Sequence, residues 1–327
     1  MAGKLIIIVL VALFSYAWKI YINDGCVYES TKSLEGRTVI LTGGNAGIGK
    51  ATAMELAKRK AHLIIASRNV KKSLVVREEI IRETGHDDIQ VMKLDLGDLD
   101  SVAEFAKKIL ENEEYVDYLV NNGGIFAQKG ATKQGFGVVF AVNHLGPFLL
   151  TNLLLSNMKK QSVSRPVRII NVSSCLHEKG TIDFSNLHDE KFIEGFEENV
   201  KEYGTTKLAN IYFTSALKSK LEGFDISSFS VHPGWIKNTE LGRYFNYNWF
   251  EQIMLYLMST ISFRSPFYGS QPIMKCILDD NIFQYNGGYF SECEHTELDS
   301  AFSDGAVAEQ LWEESTKLVK PWLDNHM

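Results

Sequence analysis

The chain has no Cys-x-x-Cys pair and no His-Glu-x-x-His helix, and its eight histidines and four cysteines approach each other only at Cys175-Leu176-His177 and Cys293-Glu294-His295. A metal centre is therefore not expected. A basic excess is also missing: 34 lysines and arginines stand against 40 acidic residues, a net charge of -6, so nucleic acid is not an expected partner. There are no internal repeats and no low-complexity tracts. The roughly 300 residues behind the N-terminal stretch thus have the length of one large domain. Cys26, Cys175, Cys276 and Cys293 make no crowded disulfide framework, and their sparsity agrees with a reducing compartment.

What the chain does have at its start is an apolar run, residues 5–22, broken only by Lys19, with Tyr16, Trp18 and Tyr21 near its end. At about 1.5 Å per residue, such a run crosses most of a bilayer's roughly 30 Å core. The lysine can snorkel and the aromatic rings can sit at the interface. No small-x-small cleavage site follows, which favours an uncleaved anchor over a signal peptide, while a helix lying on the membrane stays open. The division expected is an anchor and linker over 1–28 and one large domain over 29–327. Lys4 precedes the run, whereas Lys19, Lys32 and Arg37 lie at its end or beyond it, a balance that favours a cytosolic domain.

Beyond the anchor, short β-branched segments alternate with helical ones. Residues 37–42, 62–66, 89–94, 167–172 and 226–232 read as buried strands, and residues 70–84, 99–111 and 148–159 as helices. This alternation implies an α/β fold of the doubly wound, Rossmann type: a parallel sheet with helices on both faces.

The first strand runs into Thr42, Gly43, Gly44, Asn45, Ala46, Gly47, Ile48 and Gly49, and a helix follows. Glycines let a phosphate approach the backbone, and the helix start offers N–H groups and a positive dipole end. Thr42, Gly43, Asn45, Gly47, Ile48 and Gly49 are thus candidates for holding a dinucleotide. No acid closes the second strand; Ser67-Arg68 stands there instead. An acid would hold a free ribose 2′-hydroxyl, whereas arginine favours a 2′-phosphate, so NADP(H) is the expected cofactor, with Arg68 as its partner and Lys71 or Lys72 as support. Tyr203 and Lys207 lie four residues apart, on one face of a helix. Bringing a phenol from near 10 toward neutrality takes roughly 4 kcal/mol, which a neighbouring ammonium and a cationic cofactor could supply.

The spacing Thr42-Gly43-x-x-x-Gly47-x-Gly49 resembles the short-chain dehydrogenase/reductase family. The resemblance extends through Asn121-Asn122-Gly123-Gly124, Asn143, Ser174, the Tyr203/Lys207 pair and Pro233-Gly234, in the family's order across residues 37–240. It departs at Gly124, where alanine is usual; the glycine keeps the turn and is expected to loosen the packing behind it. By this resemblance Tyr203 is the acid/base, Lys207 lowers its pKa and holds the nicotinamide ribose, and Ser174 rather than Ser173 binds the substrate oxygen. The backbone carbonyl of Asn143 holds a water that links Lys207 to solvent. On the cofactor side the resemblance adds Asp95 near the adenine, Asn122 and Gly123 beside the adenosine, Pro233 and Gly234 at the nicotinamide, and Ile236 and Thr239 at the carboxamide and pyrophosphate.

The insert over residues 181–200, Lys207-Leu208-Ala209-Asn210 and Gly288-Tyr289-Phe290 resemble the retinol-dehydrogenase branch, which implies a retinoid substrate and an endoplasmic reticulum membrane. The family also pairs into homodimers through helices like 143–159 and 200–221, although an anchored member can stay monomeric. The aromatic stretch over residues 241–265 is the expected wall for a lipophilic substrate. Steroids and isoprenoid alcohols suit that wall as well, and a non-catalytic binding protein on the same fold is the alternative of another class.

Overall fold

The computed structural model describes residues 25–188, 195–236 and 264–324, together with Leu13. The expected anchor, Thr239 and nearly all of the aromatic stretch 241–265 lie outside the described residues.

Eight strands form one sheet: β1 (Thr38–Thr42), β2 (His62–Ser67), β3 (Ile89–Lys93), β4 (Tyr118–Asn121), β5 (Val167–Val172), β6 (Ile226–His232), β7 (Tyr289–Ser291) and β8 (Glu294–Thr296). Their order is β3-β2-β1-β4-β5-β6-β7-β8, with β1 to β7 parallel and β8 antiparallel to β7. All five residues of β1 are buried, because helices cover both faces of a parallel sheet and its strands read as continuous apolar runs. Register follows from this double burial, with Thr38 opposite His62 and Thr42 opposite Ala66.

The helices are α1 (Gly47–Lys58), α2 (Val70–Thr84), α3 (Leu99–Asn112), α4 (Val138–Gln161), α5 (Phe196–Lys220), α6 (Pro266–Leu278) and α7 (Gly305–Asp324). Helix α3 shows how sequence sets the packing. Asp98 caps it by accepting from the Asp100 N–H, and Val102, Phe105, Ala106 and Ile109 recur at helical spacing on the buried side. One core lies between the sheet and α3, α4, α5 and α7; the other lies between the sheet and α1, α2 and α6.

Helix α4 is the one described stretch long and apolar enough to cross a membrane, yet 83% of that window is buried inside the protein. It is a core helix, and its apolarity reflects burial on several sides. It also begins earlier than residue 148, because residues 141–145 form a π turn inside the helix that carries Asn143. Helix α7 lies across α4 and α5: the Trp312 ring stands 5.0 Å from Phe148 and 5.9 Å from Phe213, and Glu309 pairs with Lys220.

The cysteines depart from the sequence reading. Cys26 and Cys293 are joined in a disulfide, with Cα atoms 5.9 Å apart, while Cys175 and Cys276 are free. The partners are 267 residues apart, so no spacing rule could have paired them; the fold brings the segment at Cys26 to the β7–β8 turn.

Candidate active site

The carboxyl ends of β1, β4, β5 and β6 open into a single cavity of about 670 Å³. It lies where strand order reverses between β1 and β4, the crevice in which open α/β sheets bind ligands.

One end is made by the glycine loop. Gly43 has φ +69° and Gly47 φ +48°, conformations that favour glycine. A Cβ on Gly49 would stand 2.2 Å from the Gly43 carbonyl oxygen, and one on Gly43 would stand 2.8 Å from Gly123 Cα. Side chains at either position would fill the cradle. Ala46 precedes α1 without a side-chain cap, and no acid occupies the first turn, so the helix start offers its N–H groups and dipole to an anion. The dinucleotide expectation fits these residues.

Gly43, Asn45, Gly47, Ile48 and Gly49 all line the cavity. Thr42 does not; it is wholly buried behind the loop, where its hydroxyl oxygen accepts from the N–H groups of Asn122 and Gly123 at 3.0 and 2.9 Å. Asn122 donates its amide to the Thr42 carbonyl at 2.9 Å. These two residues thus lock the ends of β1 and β4 together, and Asn122 and Gly123 also face the cavity. Asn45 donates to Ser67 Oγ at 3.0 Å and to Ser73 Oγ at 3.1 Å, tying the loop to the end of β2.

Arg68 and Lys72 line the cavity on that side, and Lys71 is not among the lining residues. Asp95 lines it too, its carboxylate accepting from the Gly97 N–H at 3.0 Å.

The other end gathers Ser174, Tyr203, Lys207, Pro233, Gly234 and Ile236. Ser173 and Ser174 divide their duties. The Ser173 hydroxyl is buried and donates to the Lys207 carbonyl at 2.8 Å, whereas Ser174 Oγ lines the cavity and accepts from the Leu176 N–H at 3.2 Å. Lys207 Nζ donates to the Val172 carbonyl at 2.9 Å and stands 5.3 Å from the centre of the Tyr203 ring.

Asn143 is buried behind these groups. Its side chain accepts from the Ile125 N–H at 2.8 Å, donates to the Ile125 carbonyl at 2.9 Å, and donates to Thr206 Oγ1 at 3.0 Å. It therefore fixes the loop after β4 to α5. Gly124 does not loosen the packing here, because a Cβ at that position would stand 3.2 Å from Asn143 Oδ1 and 3.6 Å from Lys207 Nζ.

In the protein by itself, burial sets the electrostatics of the pair. Burial pushes the Tyr203 phenol up from its ordinary 10.0, and the neighbouring Cys175 thiol pushes in the same direction. Burial also lowers Lys207 from 10.5 to about 8. Removal from water is thus the largest influence on both groups.

Two features escaped the sequence. Gly204 follows Tyr203, and a Cβ there would stand 2.3 Å from the Leu176 carbonyl oxygen; one on Gly180 would stand 2.4 Å from Gly204 C. This close crossing sets α5 against the short 3-10 helix Cys175–Lys179 and brings Tyr203 to the side of Ser174. Phe126, Leu176, Phe196 and Val200 make an apolar wall beside the phenol, with the Phe126 ring edge-on to Tyr203 at 5.5 Å. Phe126 lies just past the Asn-Asn-Gly-Gly turn, a signal that could have pointed to it.

Comparison with known proteins agrees with this geometry. Residues 37–186 match the short chain dehydrogenase family. The chain is 39% identical to retinol dehydrogenase 11 of Homo sapiens over 90% of its own length and 89% of that protein. It is 38% identical to retinol dehydrogenase 13 of Mus musculus, covering 92% and 89%, and 37% identical to dehydrogenase/reductase SDR family member 13 of Bos taurus, covering 88% and 74%. Among solved structures, an uncharacterised protein from Mycobacterium paratuberculosis superposes with a TM-score of 0.69 at 29% identity, over 90% of this chain and 98% of that one. An NAD(P)-dependent gluconate 5-dehydrogenase from Beutenbergia cavernae, with bound NADP at low occupancy, gives 0.60 at 25% identity over 80% and 96%.

Proposed function

The chain belongs to the short chain dehydrogenase family, and from that premise we propose an NADP-dependent oxidoreductase that interconverts a lipophilic aldehyde or ketone with its alcohol, retinal and retinol being the favoured pair. The observation that carries this reading is the meeting of Ser174, Tyr203 and Lys207 in one cavity with the glycine loop. A bound nicotinamide would supply or accept the hydride.

The chain's own groups handle the proton and the orientation. Tyr203 gives its hydroxyl proton to the carbonyl oxygen in reduction and takes it back in oxidation. Ser174 donates to the same oxygen and stabilises the charge that develops there. Lys207 contributes positive charge beside the phenol and hydrogen bonds to ribose hydroxyls, while Asn143 positions both through the loop after β4 and through α5. Burial raises the phenol's pKa, so the acid/base role needs the ammonium and a cationic cofactor together.

The preference for NADP rests on Arg68 and Lys72 at the cavity edge and on the lack of an acid after β2. Retinal is favoured by the apolar wall beside Tyr203 and by the similarity to retinol dehydrogenases 11 and 13. The apolar run of residues 5–22 anchors the enzyme, in this reading, to the endoplasmic reticulum membrane with the catalytic domain facing the cytosol.

A panel of retinoids, steroids, isoprenoid aldehydes and aliphatic aldehydes, each tried with NADPH and NADH, tests the proposal in one experiment. Retinal with NADPH should give the highest kcat/KM. A steroid or isoprenal ranking first would replace the substrate, and no turnover of any member would reject the enzyme reading.

A further inference from the structure

The disulfide lies far from the reacting groups in sequence, but its surroundings lead back to them. Cys293 sits in the β7–β8 turn next to Glu292, and both residues have left-handed backbones, φ 51° for Glu292 and 59° for Cys293. Such a turn normally takes asparagine or glycine, so two ordinary residues there need to be held by their surroundings. Cys293 is held by Cys26. Glu292 is held by Arg264, which grips it with its guanidinium.

Arg264 faces the cavity wall and the linker at once. Its backbone N–H donates to the Trp235 carbonyl at 2.8 Å, and it forms a β-bridge with Ile236. Its guanidinium backs Gly234, where a Cβ would stand 3.6 Å from it. Its side chain also packs on Gly25, where a Cβ would be 3.0 Å from Arg264 Cδ. The linker then runs along the protein: the Tyr28 N–H donates to Gln271 at 3.1 Å, and Lys32 pairs with Asp280. Gly234 and Ile236 line the cavity. Only four peptide steps separate Cys26 from Ile22, a reach of at most about 14 Å.

We propose that Cys26 and Cys293 form a thiol–disulfide site through which oxidation fastens the segment leaving the membrane anchor onto the Gly234–Arg264–Glu292 wall of the cavity. The catalytic part of this inference rests on the proposed function. In a glutathione-buffered compartment such a pair stands reduced until the poise turns oxidising. The reaction is exchange with a low-molecular-weight disulfide: two cysteine thiols and one glutathione disulfide give the Cys26–Cys293 bond and two glutathione thiols. The cysteines are oxidised, the glutathione disulfide is reduced, and the two cysteine protons leave on the two glutathiones. Closing the bond fixes Glu292 against Arg264 and so holds the Pro233–Gly234–Trp235–Ile236 strip.

The test uses the full chain in phosphatidylcholine vesicles equilibrated across glutathione redox ratios. Acid-quenched alkylation and mass spectrometry read the thiols, with Cys175 and Cys276 as internal references. Cys26 and Cys293 should lose alkylation together, as a bridged peptide pair. Amide exchange in peptides covering residues 25–32 and 233–236 should slow about fivefold or more on oxidation. KM for NADPH, with vesicle-borne retinal as acceptor, should fall about threefold with kcat within about twofold, because a held wall costs less to order on binding. Independent alkylation of the two cysteines at every ratio would overturn the site. A bridge without slower exchange would overturn the docking, and slower exchange with constant KM would overturn the link to catalysis. A chain that never reduces retinal rejects the proposed substrate, while alkylation and exchange still decide the site, and no substitution is needed that could prevent folding.

Discussion

At the scale of single residues, the site is governed by what burial does to two ionisable groups. Lys207 is lowered by burial from 10.5 to about 8, so the folded protein releases this proton near pH 8 while the unfolded chain holds it to 10.5. The unfolded state binds more protons over that interval, so this group makes stability rise with pH across it. The buried phenol, raised above 10.0, acts in the opposite sense only above pH 10. The urea midpoint of the ligand-free protein should therefore rise between pH 8 and 10 relative to Lys207→Met; parallel curves would contradict the buried ammonium. Gly49→Ala should cost about 1–3 kcal/mol by overpacking and weaken NADPH binding, measured by urea unfolding and by titration, because its Cβ meets the Gly43 carbonyl. Arg68→Asp should turn the NADPH/NADH ratio of kcat/KM toward NADH, and an unchanged ratio would reject the phosphate contact. The spacing of Gly43, Gly47 and Gly49 was legible because a phosphate loop is local, made by one strand, one turn and one helix. Gly204 was not legible, since its reason lies in Gly180 and Leu176, on another segment. The depth of burial at Tyr203 was not legible for a related reason: i, i+4 spacing reveals a neighbour but not how much water the fold removes.

At the scale of elements, strand and helix alternation named the sheet and most of its helices, because strands buried on both faces are continuously apolar and covering helices are periodic. Helix α4 started ten residues before its expected beginning, at Val138 rather than residue 148. Its π turn, residues 141–145, is a local departure that periodicity does not encode. The crossing of α5 over the 3-10 helix Cys175–Lys179 is the arrangement that sets Tyr203 against Ser174. Gly204→Ala would force these two elements apart. We expect kcat to fall by about 10- to 100-fold, since misplacement on the order of an ångström costs that much, with the NADPH dissociation constant nearly unchanged. Equal kcat in the variant would show that the crossing does not position the hydroxyl.

At the scale of the whole molecule, the two cores and the cavity between strand ends follow from a doubly wound sheet, but the long-range closures do not follow from sequence. The disulfide joins residues 267 apart. Helix α7 packs on α4 and α5 through Trp312, Phe148 and Phe213, on the helices through which the family resemblance implied pairing. With that surface occupied from within the chain, the full-length protein in nanodiscs should have the mass of a monomer by mass photometry, and a dimer that survives dilution would contradict this. The proposed chemistry depends on one arrangement, a phenol beside an ammonium and a serine in one cavity with the glycine loop. Its most direct test is single-turnover hydride transfer from bound NADPH to retinal in wild type and Tyr203→Phe. The rate should be lower by about 100- to 10,000-fold in the variant, the span of lost general acid catalysis, with NADPH affinity retained; transfer at the wild-type rate would contradict the role of Tyr203.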